Sequence, residues 1–275
     1  MAFKKIKVAI LCNDDITTNI IFSKLFEEKN IDICYIGVTQ NLNYINFKGL
    51  KNIFKLYKKM SKKYWIYLSI TNLIFHLTKN IRKKDFNTIS YNSKINGLRI
   101  FRSHNFNNES FQTFLKTHNP DYLIIRVNQI LSKKTLELAN KVICVHSSLL
   151  PSYKGIAAEF HALNNDEKIY GSTIFKVEQK LDQGDSLFQN VIKLDNSQSV
   201  FKLMINNNIA SCELLRLKVQ NFQLDKLKKY HPSYYTWPSK KNYSDFKSKG
   251  YKLLKLKEYL NFLLWCIGKK NLIEV

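Results

Sequence analysis

The chain opens with a short apolar run over residues 6–12 that stops at Asn13-Asp14-Asp15. An apolar run bounded by turn and cap residues reads as a buried strand followed by a helix start. Over residues 16–29 apolar positions return at helical spacing, with Ile21, Phe22, Leu25 and Phe26 on one stripe. Residues 31–38 form the next apolar run. Strand, helix and strand at this spacing predict a right-handed parallel crossover. The alternation resumes after residue 97. It predicts a strand at 98–101, a helix at 111–118 ended by Pro120-Asp121, and a strand at 122–127. A loop at 128–131, a helix at 133–140 and a strand at 142–145 follow. Beyond these, the pattern predicts a helix at 156–164, strands at 172–177 and 186–194, and a long helix at 199–219. The expected class is α/β, an open and mostly parallel Rossmann-like sheet, with ligands met at the carboxyl ends of its strands.

Residues 39–84 break the pattern. There is no acid between Asp32 and Asp85, while Lys48, Lys51, Lys55, Lys58, Lys59, Lys62 and Lys63 precede Tyr64-Trp65-Ile66-Tyr67-Leu68. Leu50, Ile53, Phe54, Tyr57 and Met60 fall on one helical face. This is a basic helical insertion, about 45–90. Segment 48–84 reads either as an amphipathic helix with interfacial aromatics on an anionic membrane surface, or as helices packed on the domain with lysines in solvent. A catalytic domain over 1–220 and a C-terminal extension over 221–275 are expected, the latter with Tyr234-Tyr235-Thr236-Trp237-Pro238 and an amphipathic helix near 256–267.

Composition narrows the classes. The chain has 275 residues, 45% apolar, with a net charge of +23. That charge favours phosphorylated or otherwise anionic partners. The basic residues are spread along amphipathic segments, so no specific nucleic acid is expected. The five cysteines are odd in number and widely spaced, with no metal-binding spacing. Reduced thiols in a cytoplasmic protein, and no metal, are expected. No leader or membrane-spanning run is read from the sequence, and a homodimer is left open. The loop after the first strand has no glycine-rich fingerprint, so a dinucleotide site is not supported.

Two pieces carry candidate chemistry. One is Val145-His146-Ser147-Ser148-Leu149-Leu150-Pro151-Ser152-Tyr153-Lys154-Gly155; the other is Gly171-Ser172-Thr173 with Asp182-Gln183-Gly184 further on. Together they bring an imidazole and a carboxylate to a plausible acid–base site. Their combination resembles the folate-dependent formyltransferase family, which includes methionyl-tRNA formyltransferase, glycinamide ribonucleotide transformylase and the sugar N-formyltransferases. The family pattern is Asn-x-His-x-x-Leu-Leu-Pro-x-x-x-Gly, then Gly-x-Thr-x-His, then Asp-x-Gly. The resemblance covers roughly residues 100–195. Gln129-Ile130-Leu131 is similar to the folate-side loop, and Tyr234-Tyr235-x-x-Pro238 is similar to the tail of sugar-modifying members.

The resemblance implies a formyltransferase fold and transfer of a formyl group from 10-formyltetrahydrofolate, the co-substrate, to an amine. It implies His146 and Asp182 as catalytic residues and Asn128, Gln129, Ile130, Leu131 and Asp182 on the folate side. Ser148, Tyr153, Lys154 and Gly155 fall on the acceptor side. Two positions depart: Cys144 stands at the family's Asn and Phe175 at its second His. A thiol is a weak donor where a carboxamide is a strong one, and losing one oxyanion donor typically costs about 10²–10³ in turnover. A slow enzyme, an enzyme supplied by another donor such as Asn128, and an impaired relative that only binds are all compatible. The chain lacks the length for the C-terminal barrel of the tRNA-modifying members. The expected acceptor is therefore a phosphate-bearing amino sugar, nucleotide-linked or lipid-linked, in surface-glycan synthesis, handled in the cytoplasm or at the inner membrane face. A methionyl-tRNA formyltransferase-like enzyme is the other enzymatic alternative.

Overall fold

A computed structural model describes residues 5–39, 59–78, 89–127, 129–177, 186–195, 197–219 and 231–266. In chain order the elements are β1 (Ile6–Cys12), α1 (Ile16–Phe22), β2 (Ile31–Thr39), α2 (Lys62–Thr78), α3 (Ile89–Ile95) and β3 (Ile100–Ser103). Then come α4 (Glu109–His118), β4 (Tyr122–Arg126), α5 (Lys133–Glu137), β5 (Val142–His146), β6 (Lys154–Gly155) and α6 (Ala158–Asn164). The chain continues through β7 (Ile169–Lys176), β8 (Ser186–Lys193), α7 (Val200–Lys218), β9 (Tyr234–Tyr235), α8 (Lys240–Ser248) and α9 (Leu256–Cys266). Seven strands form one sheet in the order β3-β2-β1-β4-β5-β7-β8, and β6 pairs with β9 in a second, two-stranded sheet. The strands from β3 to β5 run parallel, and β7 and β8 complete the sheet by antiparallel pairing. This is the expected open, mostly parallel α/β sheet.

The central strands are apolar on both sides because both faces are covered. Val8, Ile10 and Cys12 of β1 pack with Ile21, Phe22 and Leu215, while Ala9 and Leu11 pack with Phe111 and Leu115. Helix α1 is shorter than its periodicity predicts: it ends at Phe22, and only a single 3₁₀ turn, Leu25–Glu27, follows. Ser23 donates its hydroxyl to the Ile20 carbonyl at 2.8 Å. This local bond competes with continuation of the helix. Helix α5 likewise stops at Glu137, short of the expected 140.

A third apolar cluster joins the insertion, α6, α7 and the C-terminal elements. It holds Met60, Tyr64, Tyr67, Phe75, Phe160, Phe201, Phe246, Phe262 and Trp265. The aromatics expected at an interface are therefore largely core residues. Tyr64 stacks edge-on against Phe160 at 5.4 Å, and burial raises the Tyr67 phenol well above its usual range. Burying these rings against α6 gains more than holding them in water. Leu50, Ile53, Phe54 and Tyr57 lie outside the described residues.

The C-terminal segment is fastened by His161 of α6, whose Nε2 donates to the Thr236 carbonyl at 2.8 Å. Burial lowers the His161 pKa, and the carbonyl acceptor opposes that only in part. The unfolded chain then binds the extra proton first, so this contribution to stability is present above the unfolded value and is lost as pH falls through the folded one. Urea midpoints should decline between about pH 7 and pH 5, and His161→Gln should flatten that decline. An unchanged pH slope in the variant would assign the effect elsewhere.

Candidate active site

Strand β5 delivers His146 to the carboxyl edge of the sheet, and the turn that follows is built around its ring. His146 Nε2 lies 3.2 Å from the Tyr153 carbonyl, and Ser148 Oγ donates to the same oxygen at 2.5 Å. A carbonyl only accepts, so Nε2 carries a proton, and Nδ1 is the ring nitrogen not engaged with this carbonyl. Thr173 of β7, the register partner of His146, holds the turn from the other side. Its hydroxyl donates to the Ser148 carbonyl at 2.8 Å and accepts from the Leu150 amide at 2.9 Å. Gln189 Nε2 donates to the Leu150 carbonyl at 2.8 Å. The threonine of the Gly-x-Thr pattern is thus the clamp of the histidine loop, and Gln189 is a support that the sequence reading missed.

Cys144 and Phe175 are register partners across β5 and β7. Directly opposed residues point to the same side of the sheet, and the twofold periodicity puts His146 on that side too. The two departures from the family pattern are therefore one place in the fold. Where the pattern has two polar side chains facing each other, this chain has a half-buried thiol beside a buried phenyl ring. Cys144 is not in a disulfide.

Of the residues expected on the folate side, Gln129 is occupied with the loop itself: its Oε1 accepts from the Phe106 amide at 3.0 Å and its Nε2 donates to Asn105 Oδ1 at 2.6 Å. Asn107 Nδ2 donates to the Ile130 carbonyl at 3.1 Å. Leu131 is buried in the core, whereas Ile130 is 69% exposed. Arg126, at the end of β4, donates from Nη1 to the Val145 carbonyl at 2.7 Å and so ties β4 to the end of β5. Asn128 and Asp182 lie outside the described residues.

The residues expected on the acceptor side differ in burial and bonding. Ser148 is fully buried. The Tyr153 hydroxyl donates to Glu167 Oε1 at 2.7 Å and accepts from Asn165 at 3.1 Å. Lys154 keeps a half-buried side chain, while its amide donates to the Ser233 carbonyl at 3.0 Å and the Ile156 amide donates to the Tyr235 carbonyl at 3.1 Å. The pairing of β6 with β9 thus uses the loop's backbone to hold the tail, and Tyr235 stacks on Tyr153 with ring centroids 4.8 Å apart. Tyr234, the register partner of Lys154, is largely exposed beside it. The helix start after Gly155 is less suited to an anion than its position suggests. The first turn of α6 already holds Glu159, half-buried, with its carboxyl pushed up by burial against its own backbone hydrogen bond and the field of Arg126. Glu159 is the lone acid in the run Ala158–Asn164, a signal available in the sequence but not used. Among the described residues no cluster of metal-ligating side chains occurs.

Comparison with known proteins gives the family. The family model described as formyl transferase matches residues 69–213, just over half of the chain. The chain belongs to the formyl transferase family. It is 33% identical over 129 residues to methionyl-tRNA formyltransferase of Finegoldia magna, covering 46% of this chain and 42% of that protein. It is 36% identical over 116 residues to the enzyme of the same name from Caldicellulosiruptor saccharolyticus, covering 42% of this chain and 37% of that protein. The chain thus spans about two fifths of the length of these curated relatives. The fold is shared with phosphoribosylglycinamide formyltransferase of Anaplasma phagocytophilum at a TM-score of 0.54 and 19% identity, over 79% of this chain and 86% of that one. It is also shared with a sugar N-formyltransferase from Shewanella sp. FDAARGOS_354, at 0.51 and 15%, over 95% of this chain and 87% of that one. An N-formyltransferase from Helicobacter canadensis, solved with folinic acid and dTDP-3-aminofucose, matches at 0.51 and 14%, over 84% of this chain and 70% of that one.

Gly155 carries the tail attachment. Its φ is +92°, and a Cβ there would sit 2.1 Å from the Tyr235 carbonyl oxygen. Gly155→Ala should cost about 1–3 kcal/mol in backbone strain alone and displace β9. Chemical denaturation and limited proteolysis near residues 231–238 measure both, and a variant as stable and as protected as the parent would contradict the pairing.

Proposed function

We propose that the protein is an N-formyltransferase that moves a formyl group from 10-formyltetrahydrofolate to the amine of an amino sugar. The sugar is carried on a nucleotide diphosphate or a lipid-linked diphosphate in the cytoplasmic steps of surface-glycan synthesis. The observation that carries this reading is the tail clasp: Tyr234 and Tyr235 are paired to Lys154 and Gly155, directly after the histidine loop. The described residues after 230 form a two-residue strand and two helices, and the pairing of that strand with β6 sets exposed Tyr234 beside Lys154. A ring and a cation side by side suit a sugar bearing phosphate. The shared fold with a sugar N-formyltransferase over nearly the whole chain, tail included, supports the same reading.

The residues present fit the folate co-substrate. The loop after β4, pinned by the bond from Asn107 to the Ile130 carbonyl, offers the exposed Ile130 side chain to an apolar ring face. 10-Formyltetrahydrofolate supplies the activated formyl carbon. His146 then takes the proton of the attacking amine through the nitrogen not bonded to Tyr153, and that nitrogen, once protonated, donates to the oxyanion. Asp182 is assigned the paired proton-shuttling role. The oxyanion donor expected at residue 144 is a thiol, which predicts slow turnover.

A second reading rests on the curated relatives, which are named methionyl-tRNA formyltransferases. One assay separates the cases. The protein is incubated with 10-formyltetrahydrofolate and either a panel of nucleotide-linked and lipid-linked amino sugars or methionyl-tRNA, and tetrahydrofolate release is followed. The proposal predicts release with an amino sugar, and a loss of about 10²-fold or more in His146→Ala and in Asp182→Ala. Release with methionyl-tRNA alone would establish the second reading. Folate binding without release for any acceptor would make the protein an impaired, binding-only relative.

A further inference from the structure

Helix α2 has two apolar faces, and the core takes only one of them. Tyr64, Tyr67, Thr71 and Phe75 point inward and are buried. Ile66, Ile70, Leu73 and Leu77, spaced at i, i+4, i+7 and i+11, are 44%, 43%, 58% and 64% exposed. A single exposed leucine is ordinary, but four large aliphatic side chains in helical register form a continuous stripe. Helix α9 repeats the arrangement. Its Phe262 and Trp265 enter the same cluster as Tyr64 and Tyr67, while Leu256 and Leu260 are 76% and 50% exposed. The aliphatic stripe is a different set of residues from the aromatics that the amphipathic pattern points to.

The exposed charges at the starts of the two helices are lysines, and the acid there, Glu258, is half-buried and accepts from the Ser199 hydroxyl and the Lys255 amide. Lys59, Lys62 and Lys63 are exposed at the start of α2, and Lys252 and Lys257 are exposed around the start of α9. No acid occurs between Asp32 and Asp85, and the whole chain carries +23. We infer that the outer face of α2 docks the protein on an anionic lipid surface. The aliphatic side chains enter the boundary between headgroups and acyl chains, and the lysines meet the lipid phosphates. Charge selects this occupant. A second copy would bring its own lysines against these, with +23 on each molecule opposing association. A neutral apolar partner would offer no charge complementary to the exposed lysines. No helix among the described residues is long and apolar enough to cross a membrane, so the binding is peripheral. This inference concerns a surface rather than the formyl-transfer site, and it stands or falls independently of the acceptor.

Vesicle sedimentation of the full chain tests it. Phosphatidylcholine vesicles containing phosphatidylglycerol should carry the protein down, phosphatidylcholine alone should not, and added salt should release it. Ile70→Glu with Leu73→Glu should lower the vesicle partition coefficient about tenfold or more. Lys62→Glu with Lys63→Glu should lower it too and weaken the salt dependence. All four positions are exposed, so circular dichroism and melting should be unchanged in both variants. Binding to anionic vesicles that is equal in the parent and the Ile70/Leu73 variant would overturn the assignment of this face. So would no binding at all. Self-association in sedimentation velocity that disappears in the same variant, without vesicle binding, would give the face to a second copy instead.

Discussion

The arrangement depends on one carbonyl oxygen. The Tyr153 carbonyl accepts from His146 and from Ser148, and the other end of the same peptide unit, the Lys154 amide, donates to the Ser233 carbonyl of the tail. The ring of the same residue stacks on Tyr235 and its hydroxyl reaches Glu167. The orientation of the histidine, the shape of the loop and the seating of the tail are therefore set together. Each such bond contributes only about 0.5–1.5 kcal/mol net, but leaving a buried partner unsatisfied costs about 1–3 kcal/mol. Freeing the tail would leave the amides of Lys154 and Ile156 without their carbonyls, and the loop that fixes His146 would rearrange with them. The C-terminal segment is thus tied to the loop that holds His146.

The pairing of Cys144 with Phe175 changes how the missing polar groups are read. Taken singly, a thiol at the expected carboxamide is a lost donor and a phenyl at the expected imidazole is a changed pocket wall. As register partners they are one substitution of a polar pair by an apolar one. A carboxamide placed at 144 alone would face a buried phenyl ring, and buried polar groups without partners are costly. Groups that touch in this way contribute non-additively.

Much of the sheet was legible because strands buried on both faces read as unbroken apolar runs, as in β1, β4 and β5. The His146 loop and the Gly155 position were legible because their spacing is local. The early end of α1 was not, since Ser23 turns back on Ile20 through a side-chain bond that periodicity does not register. Nor was the inward turn of Tyr64 and Tyr67: a helix apolar all round shows no preferred face until its neighbours are known. The clasp of Tyr234 and Tyr235 on Lys154 and Gly155 joins two-residue segments about 80 positions apart, and neither is long enough to signal a strand. The opposition of Cys144 and Phe175 required the register of an antiparallel pair, which the motif alone does not supply.

The most direct measurement of this account is the single-turnover rate of formyl transfer from 10-formyltetrahydrofolate to the accepted amine in four proteins: the parent, Cys144→Asn, Phe175→His and the double variant. If the apolar pair limits an otherwise competent His146 site, the double variant exceeds the parent by up to about 10²-fold. It also exceeds the product of the two single effects. A double variant no faster than the parent, or one accounted for by Cys144→Asn alone, would contradict the coupled reading of the site.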